Sequence, residues 1–240
     1  GETTLLRITT GYAMLVNGGR RIEPTFIDRI QDRNGLTVFR HDVRECPACE
    51  TSFWTGQSVP KIPDNRQVVA SPGSAYQIVS MLEGVVQRGT GRRIRALGKP
   101  LAGKTGTTNK QVDTWFVGFS PDLAVGAYVA FDKPRGLGYR ETGSSVAAPV
   151  YKDFMERALE GKPGIPFRIP PGIRLVRING STGAPAKPGD SNIILEAFKP
   201  GTVPTGESSL LAGDGFTPGF SGGNQSSGTG TPSTGTGGLY

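Results

Sequence analysis

The 240 residues carry 27 Lys and Arg against 20 Asp and Glu, a net charge of +7, with 36 Gly and 19 Pro. That length has room for one or two domains; no apolar run approaches the roughly 18–20 residues of a membrane span. A basic balance is the ordinary state of a solvated surface, so charge alone does not point to nucleic acid as the partner. Gly1-Glu2-Thr3 opens the chain without Met or a signal peptide, which fits a processed protein or a piece of a longer one.

Taken in chain order, residues 3–17 read as a helix. Leu5, Ile8, Thr9, Tyr12 and Val16 recur at helical spacing and Asn17-Gly18-Gly19 stops it. Residues 22–40 alternate like strands, with Asp32-Arg33-Asn34-Gly35 as a hairpin turn between Phe26–Ile30 and Leu36–Phe39. From Glu45 to Asn65 the chain is irregular, broken by Pro47, Pro60 and Pro63. It contains Cys46-Pro47-Ala48-Cys49, for which three readings stand: a local disulfide or redox pair, half of a metal knuckle, or two loop thiols. Zinc normally takes four ligands, and His41 is the only histidine, so no metal is assigned.

A helix follows, with Ser71 as N-cap and Pro72 at the first helical position. Ala75, Ile78, Val79, Leu82, Val85 and Val86 make its apolar stripe, and Gly89 and Gly91 end it. Residues 100–108, 112–119 and 123–131 are strand candidates. The short Ser120-Pro121-Asp122 connection predicts that the last two pair antiparallel. Pro149 opens another helix, with Val150, Tyr151, Phe154 and Ala158 expected to face inward, and Gly161 closes it. Prolines 163, 166, 170 and 171 predict an extended surface segment, and residues 173–178 and 192–198 are further short strand candidates. From Gly213 onward 10 of the 28 residues are Gly, which predicts a disordered tail. The division expected is therefore residues 1–161, an extended segment 162–212, and a tail 213–240. The fold class expected is α/β of the α+β type: an antiparallel sheet flanked by helices.

The string that carries chemistry is Lys104-Thr105-Gly106-Thr107-Thr108, on a predicted strand after Ala102-Gly103. An acyl-transfer site for a peptide ending in a carboxylate needs a fixed cation and hydroxyl donors. Lys104 supplies the charge; Thr105 and Thr107 supply hydroxyls on one face, with Lys104 on the other. Gly106 leaves room for substrate backbone, and a backbone N–H near Thr107 is a candidate oxyanion donor. The competing reading is an edge strand with a surface lysine. Trp115 and Phe116 read as core. Arg88, Arg92, Arg93, Arg95 and Lys99 read as a solvated basic loop, or alternatively as a patch for anionic glycan or stem-peptide carboxylates.

Lys-Thr-Gly is one of three motifs shared by β-lactamases and penicillin-binding proteins, and the wider sequence resembles the latter. Gly103–Asn109 matches the third motif; Asp113–Phe119 resembles the Asp-x-Trp-Phe strand after it; Thr9–Gly19 resembles the helix that follows the Ser-x-Asn motif. Cys46-Pro47-Ala48-Cys49 resembles a loop of 1A-type members from Gram-negative bacteria, and Pro149–Pro163 with Pro170–Ile173 resembles the last helix and its sequel. The chain thus resembles the C-terminal part of the transpeptidase domain of a bifunctional class A penicillin-binding protein, over most of residues 1–175.

The resemblance implies a penicillin-binding, serine β-lactamase-like fold and a periplasmic enzyme held in the inner membrane by an upstream segment. It implies no cofactor and no nucleic acid. Its partners would be peptidoglycan stem peptides and lipid-linked glycan, its inhibitors β-lactams, with a glycosyltransferase domain upstream. In that setting a Cys46–Cys49 disulfide is favoured. Lys104, Thr105, Gly106 and Thr107 take the substrate-binding role; Lys104 gives electrostatic assistance and Thr107 a backbone oxyanion donor. The nucleophile motif Ser-x-x-Lys finds one formal match, Ser58-Val59-Pro60-Lys61, rejected because Pro60 and Pro63 forbid the helix that would bring Ser and Lys together. No Ser-x-Asn occurs, so nucleophile and base are expected upstream. Two alternatives remain: a serine β-lactamase or D,D-carboxypeptidase of the same fold, and a non-catalytic cell-wall interaction module.

Overall fold

The computed structural model describes residues 3–205 apart from 47, 48, 50–52, 54 and 61. The tail expected from Gly213, and Lys61 of the rejected Ser-x-x-Lys string, lie outside the described residues. Ser58, Val59 and Pro60 are in irregular chain.

Helix α1 spans Leu5–Val16, and its N-cap Thr4 accepts a hydrogen bond from the Arg7 N–H. Gly18 and Gly19 take φ of 73° and 77° to end it. Gly19 has a second reason to lack a side chain, since an added Cβ would sit 2.1 Å from the Ala70 carbonyl oxygen. There the chain forms a neck. Arg20 bridges Val68, the Arg21 N–H donates to the Gln67 carbonyl at 2.8 Å, and Asp64 pairs with both Arg20 and Arg66 at 3.2 and 2.8 Å. Beyond the neck lies the expected hairpin, β1 (Arg29–Gln31) antiparallel to β2 (Thr37–Arg40). Asp32 Oδ1 accepts from the N–H groups of Asn34 and Leu36 to fix its turn. All its strand residues are exposed. Cys46 and Cys49 form a disulfide, which decides among the three readings.

Helix α2 spans Pro72–Gln87, with Ser71 Oγ accepting from the Ser74 N–H. Ala75, Val79, Leu82 and Val86 are buried, whereas Ile78, counted in the stripe, is 40% exposed at its margin. The basic segment beyond is not the loop expected: Arg92–Leu97 is a 3-10 helix whose Ile94 is fully buried. Strands β3 (Ala102–Thr107), β4 (Asp113–Phe119) and β5 (Ala124–Ala130) form one antiparallel sheet in the order β3-β4-β5.

Directly opposed residues of such a ladder share a face. Lys104, Val117 and Gly126 line up on the α1 face, where a Cβ on Gly126 would strike Thr9 and Leu5. Thr105, Phe116 and Ala127 line up on the opposite face. There Phe116 packs on Tyr151 of helix α3 (Ala148–Ala158) with ring centroids 4.6 Å apart. The core accordingly divides in two. Val79, Leu82, Ala102, Phe119 and Phe167 lie under α1; Val86, Ile94, Leu101, Phe116, Tyr151 and Met155 lie under α3. Phe167 shows that the proline-rich segment sends one ring inward while the rest of it stays near the surface.

A π-helical turn, Gly143–Ala147, runs straight into α3. Of the residues expected to face inward, Tyr151 does so, whereas Val150 and Phe154 do not. Tyr151, Met155 and Leu159 are buried, while Val150 and Phe154 are 53% and 52% exposed. Finally β6 (Arg174–Asn179) pairs antiparallel with β7 (Ile193–Phe198). This hairpin docks on α2 through Gln77 Nε2 donating to the Ala197 carbonyl and Lys199 Nζ donating to Ser74 Oγ. The whole is an antiparallel sheet flanked by helices. Among the described residues no helix is long and apolar enough to cross a membrane.

Candidate functional site

Strand β3 emerges from the core along its length. Ala102 and Gly103 are buried, residues 104–106 half-buried, and Thr107 exposed. It is the end strand of its sheet, so a peptide laid along its free side would have Lys104 on one flank and Thr105 and Thr107 on the other. Gly103 and Gly106 keep the strand close to β4. A Cβ on Gly103 would lie 2.8 Å from the Phe116 ring, and one on Gly106 3.2 Å from Trp115 Cβ. Gly106 thus has a packing reason beside the expected one of substrate approach. Phe116 is core, as expected, but Trp115 is half-buried and tilts against Tyr128 at 4.4 Å.

Among the described residues the Lys104 ammonium makes one hydrogen bond, donating to the Thr105 carbonyl at 3.1 Å. An ammonium has three donors, so two remain for an incoming acceptor. No carboxylate among the described residues ion-pairs with it.

The hydroxyls on the other flank are held from outside β3. Thr107 Oγ1 accepts from the Gly143 N–H at 3.0 Å, which leaves its own proton free. Thr105 Oγ1 lies 2.8 Å from Thr90 Oγ1, and Ser144 Oγ donates to the Thr90 carbonyl at 2.8 Å. The turn that delivers Gly143 and Ser144 is itself closed by a capping box, Thr142 with Ser145, and Ser145 Oγ donates to Glu141. Gly143 sits hard against the sheet: an added Cβ would lie 2.5 Å from the Trp115 carbonyl oxygen and 2.6 Å from that of Gly106. Behind it, burial pushes the Tyr151 phenol well above the ordinary tyrosine range.

The candidate residues Lys104–Thr107 named from sequence lie together on β3, and the structure adds Thr90, Gly143 and Ser144 as residues that touch them or support them. Gly89-Thr90-Gly91 spelled only a helix stop, and residues 143–144 lie more than thirty positions from the strand they support. Concavities of about 450 and 650 Å³ lie at the neck and beside α1, and none of residues 104–107 lines either. The motif lies on the free side of β3, outside both of these concavities.

The family model for the penicillin binding protein transpeptidase domain matches residues 2–156. Penicillin-binding protein 1A of Rickettsia conorii is 45% identical over 204 residues, covering 84% of this chain and 25% of that protein. The namesake from Neisseria lactamica is 40% identical over 174 residues, covering 72% of this chain and 20% of its own length. Among solved structures, penicillin-binding protein 1A from Haemophilus influenzae superposes with a TM-score of 0.68 at 31% identity, over 85% of this chain and 33% of that one. The chain therefore spans about a quarter of the length of the curated relatives it matches. With a family match over more than half its length, on a sheet and helices arranged as in a solved relative, the chain belongs to the penicillin-binding protein transpeptidase family.

Proposed function

We propose that this chain is the Lys-Thr-Gly half of a D,D-transpeptidase that cross-links peptidoglycan by acyl-serine transfer. On this reading a serine and its base, carried on sequence N-terminal to Gly1, attack the carbonyl between the two D-Ala residues of a stem peptide. The serine proton passes to the base and then to the departing D-Ala amine. The amine of a second stem peptide then displaces the acyl group from serine, leaving the cross-link and a free enzyme. Lys104 sets a positive field beside the serine, Thr105 and Thr107 donate hydroxyls to the terminal carboxylate, and the Thr107 N–H is an oxyanion donor. Residues 1–161 are the part of the domain that does this, the segment from 162 packs on it through Phe167 and the β6–β7 hairpin, and 213–240 are dispensable. β-Lactams would be trapped by the same serine.

The observation that carries the reading is Lys104: a half-buried ammonium with one hydrogen bond and no ion-pair partner among the described residues, on the exposed end of an end strand. Helix α1 adds support for further chain. It is apolar through Leu5, Leu6, Ile8, Leu15 and Val16, yet none of its residues is fully buried. A glycosyltransferase domain, a membrane anchor, a periplasmic location and lipid-linked glycan as second substrate go with the reading as what the sequence resemblance to bifunctional members implies. The test uses the full-length protein. Lys104→Ala should slow acylation by a fluorescent penicillin more than tenfold, the least expected from the loss of a hydrogen bond to a charged group (about 1.5–3 kcal/mol), with the thermal midpoint kept. Acylation at the unaltered rate would remove Lys104 from the site.

A further inference from the structure

Thr90 belongs to no helix or strand, yet it touches the motif strand and the turn behind it. It is presented by a tight bend between two glycines. The Gly91 N–H donates to the Val85 carbonyl at 3.0 Å, and added Cβ atoms at Gly89 and Gly91 would lie 3.0 Å from Val85 Cα and 3.2 Å from the Val85 carbonyl oxygen. The bend is therefore folded down on the last turn of α2, and only its middle residue has room for a side chain. From there Thr90 Oγ1 reaches Thr105 Oγ1 at 2.8 Å, while the Thr90 carbonyl accepts from Ser144 Oγ at 2.8 Å. The same turn holds Thr107 directly, through the Gly143 N–H. One turn thus supports both motif hydroxyls, Thr107 in a single step and Thr105 by way of Thr90.

A hydroxyl has one proton to give and two lone pairs to receive. The direction of the Thr90–Thr105 bond therefore decides what Thr105 can do. When Thr105 donates to Thr90, its proton is spent and it can offer a carboxylate only a lone pair, which repels. When Thr90 donates, Thr105 keeps its proton for the carboxylate, and the two bonds in series polarise each other. We propose that Thr90 is a positioning residue for acyl transfer, donating to Thr105 Oγ1 so that the Thr105 proton is aimed at the carboxylate of the bound peptide or penicillin. This rests on the reading of Lys104–Thr107 as the substrate wall. The Ser144 bond to the Thr90 carbonyl fixes the bend so that the donor stays in reach whether or not a ligand is present.

The test measures the second-order rate of acylation by a fluorescent penicillin, with thermal midpoints, in the full-length protein. Thr90→Val keeps the shape and removes the hydroxyl. It should acylate about three- to tenfold more slowly, the range for one lost hydrogen bond, with the midpoint lower by no more than the few degrees that one such bond is worth. Thr90→Ser should restore the rate to within about twofold, since it returns a donor at the same place. Thr90→Val combined with Thr105→Val should be no slower than Thr105→Val alone, because both remove the same path. A Thr90→Val rate equal to the unaltered protein's overturns the proposal. So does a loss that Thr90→Ser leaves unrepaired, a loss accompanied by a midpoint fall of more than about 6 °C, or losses that multiply in the double variant. Normal acylation by both Lys104→Ala and Thr105→Val would bring down the wall reading and this proposal with it. Slow acylation by those two beside a normal Thr90→Val would sink this proposal alone.

Discussion

Gly143 is where the motif strand is most vulnerable to a single methyl group. Gly143→Ala would place a Cβ 2.5 Å from the Trp115 carbonyl oxygen, 2.6 Å from the Gly106 carbonyl oxygen and 3.0 Å from the Gly106 nitrogen. Those are backbone atoms of Gly106 and Trp115, paired across β3 and β4, so no side-chain rotation relieves the clash. The turn must draw back from the sheet. Overpacking of this kind costs about 1–3 kcal/mol, and the hydrogen bond from the Gly143 N–H to Thr107 Oγ1 is lost with it, about 0.5–1.5 kcal/mol more. A total near 2–4 kcal/mol corresponds to a midpoint lower by roughly 5–15 °C for a domain of this size class. Differential scanning calorimetry of the full-length protein reads the midpoint, and penicillin labelling reads the site, where acylation should slow as Thr107 loses its anchor. Gly11→Ala is the control: its added Cβ meets nothing within 4 Å and its φ is an ordinary helical one. A Gly143→Ala protein that melts and acylates like the unaltered one would refute the packing argument.

Three further outcomes are expected. Burial raises the pKa of the Glu83 carboxyl, with Arg88 opposing. A raised folded value contributes stability that is present below the ordinary carboxylate range and lost as pH rises through the folded pKa. Glu83→Gln should therefore raise the midpoint at pH 7 and lose that advantage below about pH 4; a pH-independent change would contradict it. Replacing Cys46 and Cys49 by Ser should leave acylation near normal and cost at most about 2 kcal/mol, since the bridge closes a very short loop; stoichiometric zinc in the purified protein, lost on that replacement, would overturn the disulfide. The 240-residue chain produced alone should form no covalent penicillin adduct, because its one serine three residues before a lysine, Ser58, lies in irregular chain. A labelled band that vanishes on Ser58→Ala would show otherwise.

The parts of the fold that could be read from sequence are those whose signals are local. Ser71 and Pro72 mark the start of α2 because a cap acts within one turn. The Asp32–Gly35 turn is legible because Asp32 closes it onto residues 34 and 36. Helix α3 can be placed from sequence, but its inward face only in part, through Tyr151. Val150 and Phe154 form a second apolar line beside Tyr151 and Met155, and which line meets the sheet is decided by contacts distant in sequence, such as Phe116 on Tyr151. The 3-10 helix at Arg92–Leu97 carried one signal, Ile94 and Leu97 three apart, among arginines that suggested solvent. At the site, Lys104–Thr107 were legible because a motif is contiguous and strand alternation sorts its side chains. Thr90 and Ser144 were not, since each is defined by a contact across 15 or 54 residues of chain.

The neck at Arg20–Val68 has a consequence for how this protein tolerates change. Everything from residue 22 to 66 leaves and returns through one gate, closed by the Arg21–Gln67 backbone bond, the Arg20 guanidinium on the Arg66 carbonyl at 2.9 Å, and the Val69 N–H on Gly19. The hairpin β1–β2 beyond that gate pairs only with itself among the described strands. Lengthening it is inexpensive, about 0.6 kcal/mol per doubling of a flexible loop, so insertions here should be better tolerated than in the sheet or helices. It is also where an experimenter can graft a fluorescent reporter or an affinity handle, at the exposed Arg33-Asn34 tip, and leave the wall of Lys104, Thr105 and Thr107 as it was.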